Sequence, residues 1–139
     1  MADEFSAWER RIAEGYRRVD GRDLAATEEL YAHPWAVLCH DTGPDPLFVY
    51  ANLTAQRLWE RPLAQFVGWP SRFTAPEEER AARAAALREG DVVRGYQGVR
   101  ISASGRRFRI SDAMIFTVAQ DGLIVGQAAV VPRWEYLPD

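Results

Sequence analysis

The sequence predicts an α+β fold, in which a five-stranded antiparallel sheet has helices packed on one face and is preceded by N-terminal amphipathic helices. Three observations indicate it: helical periodicity near the N-terminus, period-two alternation after residue 91, and short helical segments between the early and the late strands. A chain of 139 residues has room for one such core. We divide it into an N-terminal helical extension, residues 1–33, and a sheet domain, residues 34–139.

The N-terminal segment is predicted to form an amphipathic helix, because its large apolar residues share one face. This apolar stripe consists of Phe5, Trp8, Ile12, Tyr16 and Val19. Such a stripe usually packs on its own domain, and we predict that it does; a homodimer contact through the same helix is the alternative. Gly21 can end the helix, and a second helix is predicted from about Asp23 to Ala32, before Pro34.

The next segment predicts two strands and a helix joined by a capping residue. Trp35–His40 and Leu47–Ala51 are short apolar runs of strand length. Asn52 then stands where an N-cap is needed, since its side-chain oxygen can accept a backbone N–H of the first turn. The helix that follows carries Trp59 at its apolar edge.

Two more helices are predicted before the late strands. A short one covers Leu63–Val67 and is closed by Gly68. Thr74 and Glu77 have the spacing of a capping box, which predicts a longer, surface helix that runs to Gly90.

A strand after residue 91, which contains Val93 to Ala103, is predicted to have one apolar and one polar face. The apolar parity holds Val93, Val99, Ile101 and Ala103, and the other parity holds Arg94, Tyr96 and Arg100. Because Tyr96 and Arg100 share a face, they either recognise an anion together or face solvent.

The second late strand alternates cleanly between apolar and polar positions. Its apolar parity is Phe108, Ile110, Asp112, Met114, Phe116 and Val118. A carboxylate at Asp112 on that parity must be paired, protonated or solvated through a cavity, and Arg72 or Arg100 is the expected partner. Asp121-Gly122 then predicts a hairpin into a central strand, Leu123–Val131.

Composition narrows the class of protein. The net charge of −3 gives a nucleic-acid surface no global electrostatic support. No apolar run reaches the length of a membrane span, and the first residues lack the pattern of a signal peptide. A single cysteine fits a reducing compartment. We therefore expect a cytoplasmic protein with neither a membrane nor a nucleic acid as its partner.

The order of these elements resembles the PAS superfamily, and within it the MEKHLA domain, a family found alone in bacteria and at the C-terminus of some plant transcription factors. The resemblance extends from about Tyr16 to Trp134. The segments that carry it are Val37-Leu38-Cys39-His40, Pro44-Asp45-Pro46, Tyr50-Ala51-Asn52, Pro70-Ser71-Arg72, Thr74-Ala75, Gly98-Val99-Arg100-Ile101-Ser102, Gly105-Arg106-Arg107-Phe108-Arg109-Ile110 and Gly126-Gln127-Ala128-Ala129. Cys39 departs from the family pattern, which has serine there.

The resemblance implies a small molecule held between the sheet and the helices, or a role in protein–protein contacts. Its best-known cofactors do not fit this sequence. A photoactive flavin domain has a reactive cysteine in an Asn-Cys-Arg context after the short helices, whereas Cys39 lies in the first strand. Oxygen-sensing haem domains use a histidine on the long helix, and residues 76–90 contain none. The identity of any cofactor stays open.

Several polar or aromatic residues at strand and helix positions are candidate ligand contacts. They are His40, Tyr50, Asn52, Trp59, Arg72, Tyr96, Arg100, Asp112, Met114 and Gln127. Each also has a structural reading: Asn52 as a cap, Trp59 as core, and His40 or Gln127 bonded to neighbouring backbone. We predict no metal site, because Cys39 and His40 point to opposite sides of a strand and further ligands are few.

Three functions follow from these observations. The first is a stand-alone PAS-like sensor or binding module that holds a small molecule and acts in signalling or regulation. The second is an interaction or homodimerisation module without a ligand. The third is a small enzyme that uses His40 with Asp112 or Cys39, and it is the weakest because spacing places no second catalytic group.

Overall fold

The computed structural model describes residues 2–24, 29–87 and 92–138, which build one antiparallel sheet covered by helices. The strands are β1 (Ala36–His40), β2 (Phe48–Ala51), β3 (Val92–Ile101), β4 (Arg107–Gln120), β5 (Leu123–Val131) and β6 (Arg133–Tyr136). The helices are α1 (Ala2–Asp20), α2 (Leu53–Leu58), α3 (Leu63–Phe66) and α4 (Arg80–Leu87). In the described ranges, none of the helices has the length and apolarity that crossing a membrane requires.

The strand order is β2-β1-β5-β4-β3, and β6 pairs with the first part of β4. The predicted α+β class and its antiparallel sheet are confirmed. The sixth strand was not predicted. Pro132 ends β5, but after this proline the chain pairs with β4 again as β6, where Trp134 lies opposite Ile110. Because proline lacks only its own N–H, one residue interrupts the ladder without ending the sheet.

Each face of the sheet has its own apolar core. The core beneath α2 and α3 consists of Ala36, Leu38, Phe48, Ala51, Ala55, Leu58, Trp59, Phe66, Phe108, Ile110, Ala113 and Val131. The core beneath α1 consists of Trp8, Ile12, Tyr16, Leu30, Val37, Cys39, Tyr50, Phe116, Val118, Ala128 and Val130. The prediction that the N-terminal stripe packs on its own domain is confirmed, and α1 covers the face opposite the other helices.

Asn52 joins β1, α2 and the segment before β1 through one buried side chain. Its Oδ1 accepts the N–H of Ala55 at 3.0 Å, which is the predicted N-cap, and also the N–H of Val37 at 2.9 Å. Its Nδ2 donates to the carbonyl oxygens of Trp35 at 2.8 Å and Leu30 at 3.2 Å. All the hydrogen-bonding groups of the amide are therefore used inside the fold.

Two of the predicted helices differ from the structure. The second helix, predicted over Asp23 to Ala32, falls in part on residues 25–28, outside the described ones, and residues 30–32 form turns. The capping box is wrong, because the hydroxyl of Thr74 donates to Ser71 O within a 3₁₀ turn, and a second such turn, Glu77–Glu79, precedes α4. The predicted end of that helix at Gly90 also lies outside the described residues.

Bulges in β3 and β4 change which side chains face which core. Two residues of β4 oppose one residue of β3 between the pairs Tyr96–Ala113 and Gly98–Ile110, and Asp112 there has a φ of 54°. The even-numbered positions of β4 therefore face α2 and α3 before the bulge and α1 after it. The predicted inward orientation of Asp112 is wrong: its carboxylate is exposed and pairs with Arg133 at 3.1 Å, not with Arg72 or Arg100.

The bulge in β3 places Arg94 on a different face of the sheet from Tyr96 and Arg100, with which its parity had grouped it. Two residues of β3 oppose one of β4 between Val93 and Tyr96, and Gly95 supplies the required positive φ of 63°. As a result the guanidinium of Arg94 reaches α1, where it donates to the carbonyl oxygen of Val19. The shared parity predicted for Arg94 and Tyr96 is wrong.

Replacing Asn52 by alanine is expected to lower the free energy of unfolding by about 3 kcal/mol, since two buried N–H groups, those of Val37 and of Ala55 at the cap of α2, lose their acceptor. Urea denaturation measures the loss. Gln65→Ala is the control, because it truncates an exposed amide on α3 and should change the same quantity by less than about 0.5 kcal/mol. Equal effects of the two substitutions would contradict the role given to Asn52.

Candidate functional site

A small cavity lies between the sheet and helices α2 and α4. Its volume is about 40 Å³, and it is lined by Leu38, His40, Phe48, Trp59, Thr74, Arg83, Arg100, Ile110, Ile115, Gln127, Ala128, Ala129 and Val131. Most of the wall is apolar, and six lining side chains carry nitrogen or oxygen atoms: His40, Trp59, Thr74, Arg83, Arg100 and Gln127. Trp59 and Thr74 bond neighbouring backbone carbonyl oxygens. An apolar cavity with a few convergent polar groups is the usual character of a small-molecule site.

A larger, open cleft of about 580 Å³ adjoins the cavity. His40, Arg83 and Gln127 line both, so they form the boundary between the two spaces. The loop between β1 and β2 makes one side of the cleft, and Arg72 contributes to it beside its ion-pair partner Asp45. The site therefore has a narrow inner part and a wide outer part.

Tyr96 and Arg100 meet on the inner face of β3, as their shared parity predicted. Arg100 is 4% exposed, and it donates to the Tyr96 hydroxyl at 3.0 Å and to the carbonyl oxygen of Val99 at 3.0 Å. Gly98 makes this arrangement possible: a Cβ there would lie 2.8 Å from both Arg100 Nη1 and the Tyr96 hydroxyl oxygen. The guanidinium is thus held over a glycine, at the wall of the cavity.

Arg83 projects from α4 into the same cavity and was missed by the sequence reasoning. Burial, together with the charge of Arg100, lowers the pKa of Arg83 to about 10. Among the described residues, neither guanidinium forms an ion pair with a carboxylate. The helix was predicted to lie on the surface, and the one signal in the sequence is that Arg83 precedes Leu87, the only large apolar residue of that helix, by four positions.

His40 ends β1 at the boundary between cavity and cleft. Its Nδ1 lies 2.7 Å from the carbonyl oxygen of Asp41, and its Nε2 lies 3.1 Å from Oε1 of Gln127. Burial lowers the pKa of His40 and outweighs the hydrogen bond to Asp41, which favours the charged ring; the charge of Arg83 lowers the pKa further. His40 and Gln127 are also paired in register between β1 and β5, which fixes their proximity.

Of the remaining predicted contacts, only Trp59 lies at the cavity. Trp59 lines the cavity and donates its indole N–H to the carbonyl oxygen of Thr74 at 3.3 Å. Tyr50 faces α1, where its hydroxyl donates to Glu9 at 2.8 Å, and Met114 packs in the same core. The amide of Asn52 makes all its hydrogen bonds to the backbone of the fold. The structure therefore brings His40, Trp59, Arg100 and Gln127 together around the cavity, with Tyr96 behind Arg100. It places Arg72 in the cleft and leaves Tyr50, Asn52, Asp112 and Met114 outside both.

Cys39 lies on the α1 face of β1, away from the cavity. It is fully buried, and burial raises the pKa of its thiol far above the ordinary value. Gly126 of β5 packs against it: a Cβ at that position would lie 2.7 Å from the carbonyl oxygen of His40, 3.1 Å from Cys39 Sγ and 3.3 Å from the Trp8 ring. No cluster of His, Cys, Asp or Glu suited to a metal occurs in the ranges that the structure describes.

The curved antiparallel sheet with a helix-walled cavity on one face defines a PAS-like domain. The family model of the MEKHLA domain matches residues 6–136. The chain belongs to the MEKHLA domain family, as the sequence resemblance predicted. A comparison with curated proteins finds no match.

Solved structures with this fold include PAS and light-oxygen-voltage (LOV) domains. A PAS domain from Colwellia psychrerythraea superposes with a TM-score of 0.65 at 12% identity, covering 75% of this chain and 89% of that one. The LOV protein of Rhodobacter sphaeroides gives 0.60 at 20% identity, with 79% and 65% covered. An RNA-binding LOV receptor gives 0.62 at 24% identity, with 76% of this chain covered, and the match spans about a third, 31%, of that receptor chain. At these low identities, the superpositions show a shared fold and nothing further.

Gly98→Ala is expected to displace the Tyr96 hydroxyl and to move the Arg100 guanidinium from the cavity wall, because the added methyl group occupies the space that both side chains use. The φ of Gly98 lies outside the left-handed region, so the backbone accepts alanine and the fold should persist. Side-chain NMR signals of the Arg100 guanidinium and the Tyr96 ring measure the displacement. Gly43→Ala, where the nearest atom is 3.6 Å from the added Cβ, should leave both signals in place.

The lowered pKa of His40 makes stability depend on pH. Between its ordinary pKa, about 6.5, and its lower folded value, the unfolded chain binds more protons, so the free energy of unfolding falls as pH falls through that range. Denaturation of wild type and His40→Gln from about pH 7.5 to about pH 5.5 isolates this contribution. Wild type should lose more stability than the variant on acidification; parallel curves would show that burial does not control this imidazole.

Proposed function

We propose that this MEKHLA domain is a sensory or regulatory module that holds a small molecule at the cavity and cleft between the sheet and helices α2 and α4. The observation that carries the proposal is the convergence of His40, Arg83, Arg100 and Gln127 on a wall that is mostly apolar. The adjoining cleft, about 580 Å³, falls in the range of small-molecule sites, roughly 300–1,000 Å³. The single cysteine of the chain supports a reducing, cytoplasmic setting.

The similarity to LOV domains supports a sensory role, since those proteins include blue-light photoreceptors. It does not extend to cysteine chemistry in this cavity, because Cys39 faces α1 and burial disfavours its thiolate. An enzymatic role for His40 lacks a second group as well: Cys39 lies on the other face of β1, and Asp112 is exposed beside Arg133.

Homodimerisation through the N-terminal helix has less support than ligand binding. Trp8, Ile12 and Tyr16, the centre of the apolar stripe, are already buried against the sheet of the same chain. A dimer would have to use the polar side of α1 or another surface. Native mass spectrometry reports the oligomeric state directly.

Native mass spectrometry of freshly purified protein, with an absorption spectrum, should reveal a bound small molecule; a thermal-shift screen then supplies ligands for titration. Ala129→Leu places three extra carbons at the cavity and should abolish binding. Ala119→Leu makes the same change at an exposed position of β4 and should preserve it. The proposal fails if no molecule binds, or if the ligands bind Ala129→Leu as tightly as wild type.

A further inference from the structure

We propose that the inner cavity is an oxyanion site, in which Arg83 and Arg100 bind a carboxylate or phosphate group of a small molecule whose remainder lies in the cleft. This inference rests on the proposed function and specifies the chemistry of its ligand.

Two arginine side chains share one small cavity, and none of the described residues is an acidic partner to either. Both line the space of about 40 Å³, and Arg100 is 4% exposed. Among the described residues, the ion pairs of the chain involve other arginines, and no carboxylate lines the cavity. A desolvated cation is costly unless it is paired, and two that face each other repel as well. An anion between them removes both costs at once.

The geometry leaves donors available for that anion. Arg100 uses one N–H toward the Tyr96 hydroxyl and one toward Val99 O, which orients the guanidinium and leaves three of its five donors. Gly98 provides the space in which this orientation is possible. Arg83 reaches the same cavity from α4 and is close enough for the charge of Arg100 to act on it. Planar guanidinium groups bind carboxylate and phosphate through paired hydrogen bonds, so two of them can clamp one oxyanion.

The dimensions of the site separate the anionic group from the rest of the ligand. A space of about 40 Å³ accommodates roughly three waters, which is close to the size of one carboxylate and smaller than a ring system. The cleft beyond His40 and Gln127 is more than ten times larger. Its own carboxylates are occupied: Asp41 accepts the N–H of Leu47 at 3.0 Å and of Gly43 at 3.3 Å, and Asp45 pairs with Arg72.

Titrations with succinate, inorganic phosphate and succinamide test the inference, with NMR signals of the arginine side chains as the readout. Succinate and phosphate distinguish a carboxylate from a phosphate ligand, and succinamide is the neutral counterpart of succinate. We expect succinate or phosphate to shift the Arg83 and Arg100 signals with saturation below about 50 mM, and succinamide to leave them unchanged.

The matched variants are Arg83→Gln, Arg100→Gln and Arg109→Gln. The first two should weaken anion binding at least about tenfold, because each removes charge-assisted hydrogen bonds. Arg109 is exposed on β4, so Arg109→Gln makes the same change of net charge and should bind as wild type does. Equal affinity of Arg83→Gln and wild type overturns the inference.

A stability measurement gives a second readout that needs no assigned spectrum. In buffer without multivalent anions, Arg83→Met should melt at a higher temperature than wild type, because it keeps the apolar stem and removes an unpaired, desolvated cation. Saturating succinate or phosphate should raise the melting temperature of wild type only. The difference in melting temperature between Arg83→Met and wild type should therefore shrink or change sign. A lower melting temperature of Arg83→Met in both buffers contradicts the proposed unpaired cation.

The failure of this inference differs from the failure of the proposed function. If succinamide, or a neutral ligand from the thermal-shift screen, binds the cavity as tightly as the anions do, the oxyanion site is wrong while the sensor remains. If neither anion shifts the arginine signals, the oxyanion site is likewise wrong, and the screen with Ala129→Leu decides the sensor independently.

Discussion

The hydrogen bonds of Asn52 hold together the part of the fold on which the cavity depends. One buried amide accepts from Val37 and Ala55 and donates to Leu30 and Trp35. Asparagine accepts two and donates two hydrogen bonds here, whereas an ionised aspartate cannot donate and a serine hydroxyl has one donor only. The start of α2 is thereby fixed against β1. Because Trp59 is the C-terminal cap of that helix and lines the cavity, Asn52 helps to position this part of the wall.

The bulge at Asp112 lets one long strand serve two cores. Before it, β4 pairs with β6 and sends Phe108 and Ile110 toward α2 and α3; after it, β4 pairs with β5 and sends Phe116 toward α1. A strand of 14 residues without a bulge would keep one parity throughout. The same change of phase brings Ile115 to the cavity.

Local chemistry made some features predictable, and tertiary geometry hid others. The Asn52 cap and the shared face of Tyr96 and Arg100 follow from short-range spacing, and both are present. The orientation of Asp112 and Met114 was wrong because a bulge resets parity, and an aspartate at positive φ leaves no clear mark in a sequence. Arg83 was missed because the face of a short Ala-rich helix that turns inward depends on what packs against it.

Gly126 of β5 lies where β1 and α1 pack closely against it. A Cβ at Gly126 would meet the His40 carbonyl oxygen, Cys39 Sγ and the Trp8 ring of α1, while the next residue, Gln127, pairs with His40 at the boundary of the cavity. There is no room even for a methyl group between these layers. Any larger residue here therefore requires the backbone of β1 or the Trp8 ring of α1 to shift. The close packing of α1 on the sheet thus depends on a glycine whose next residue, Gln127, lines the cavity on the other face.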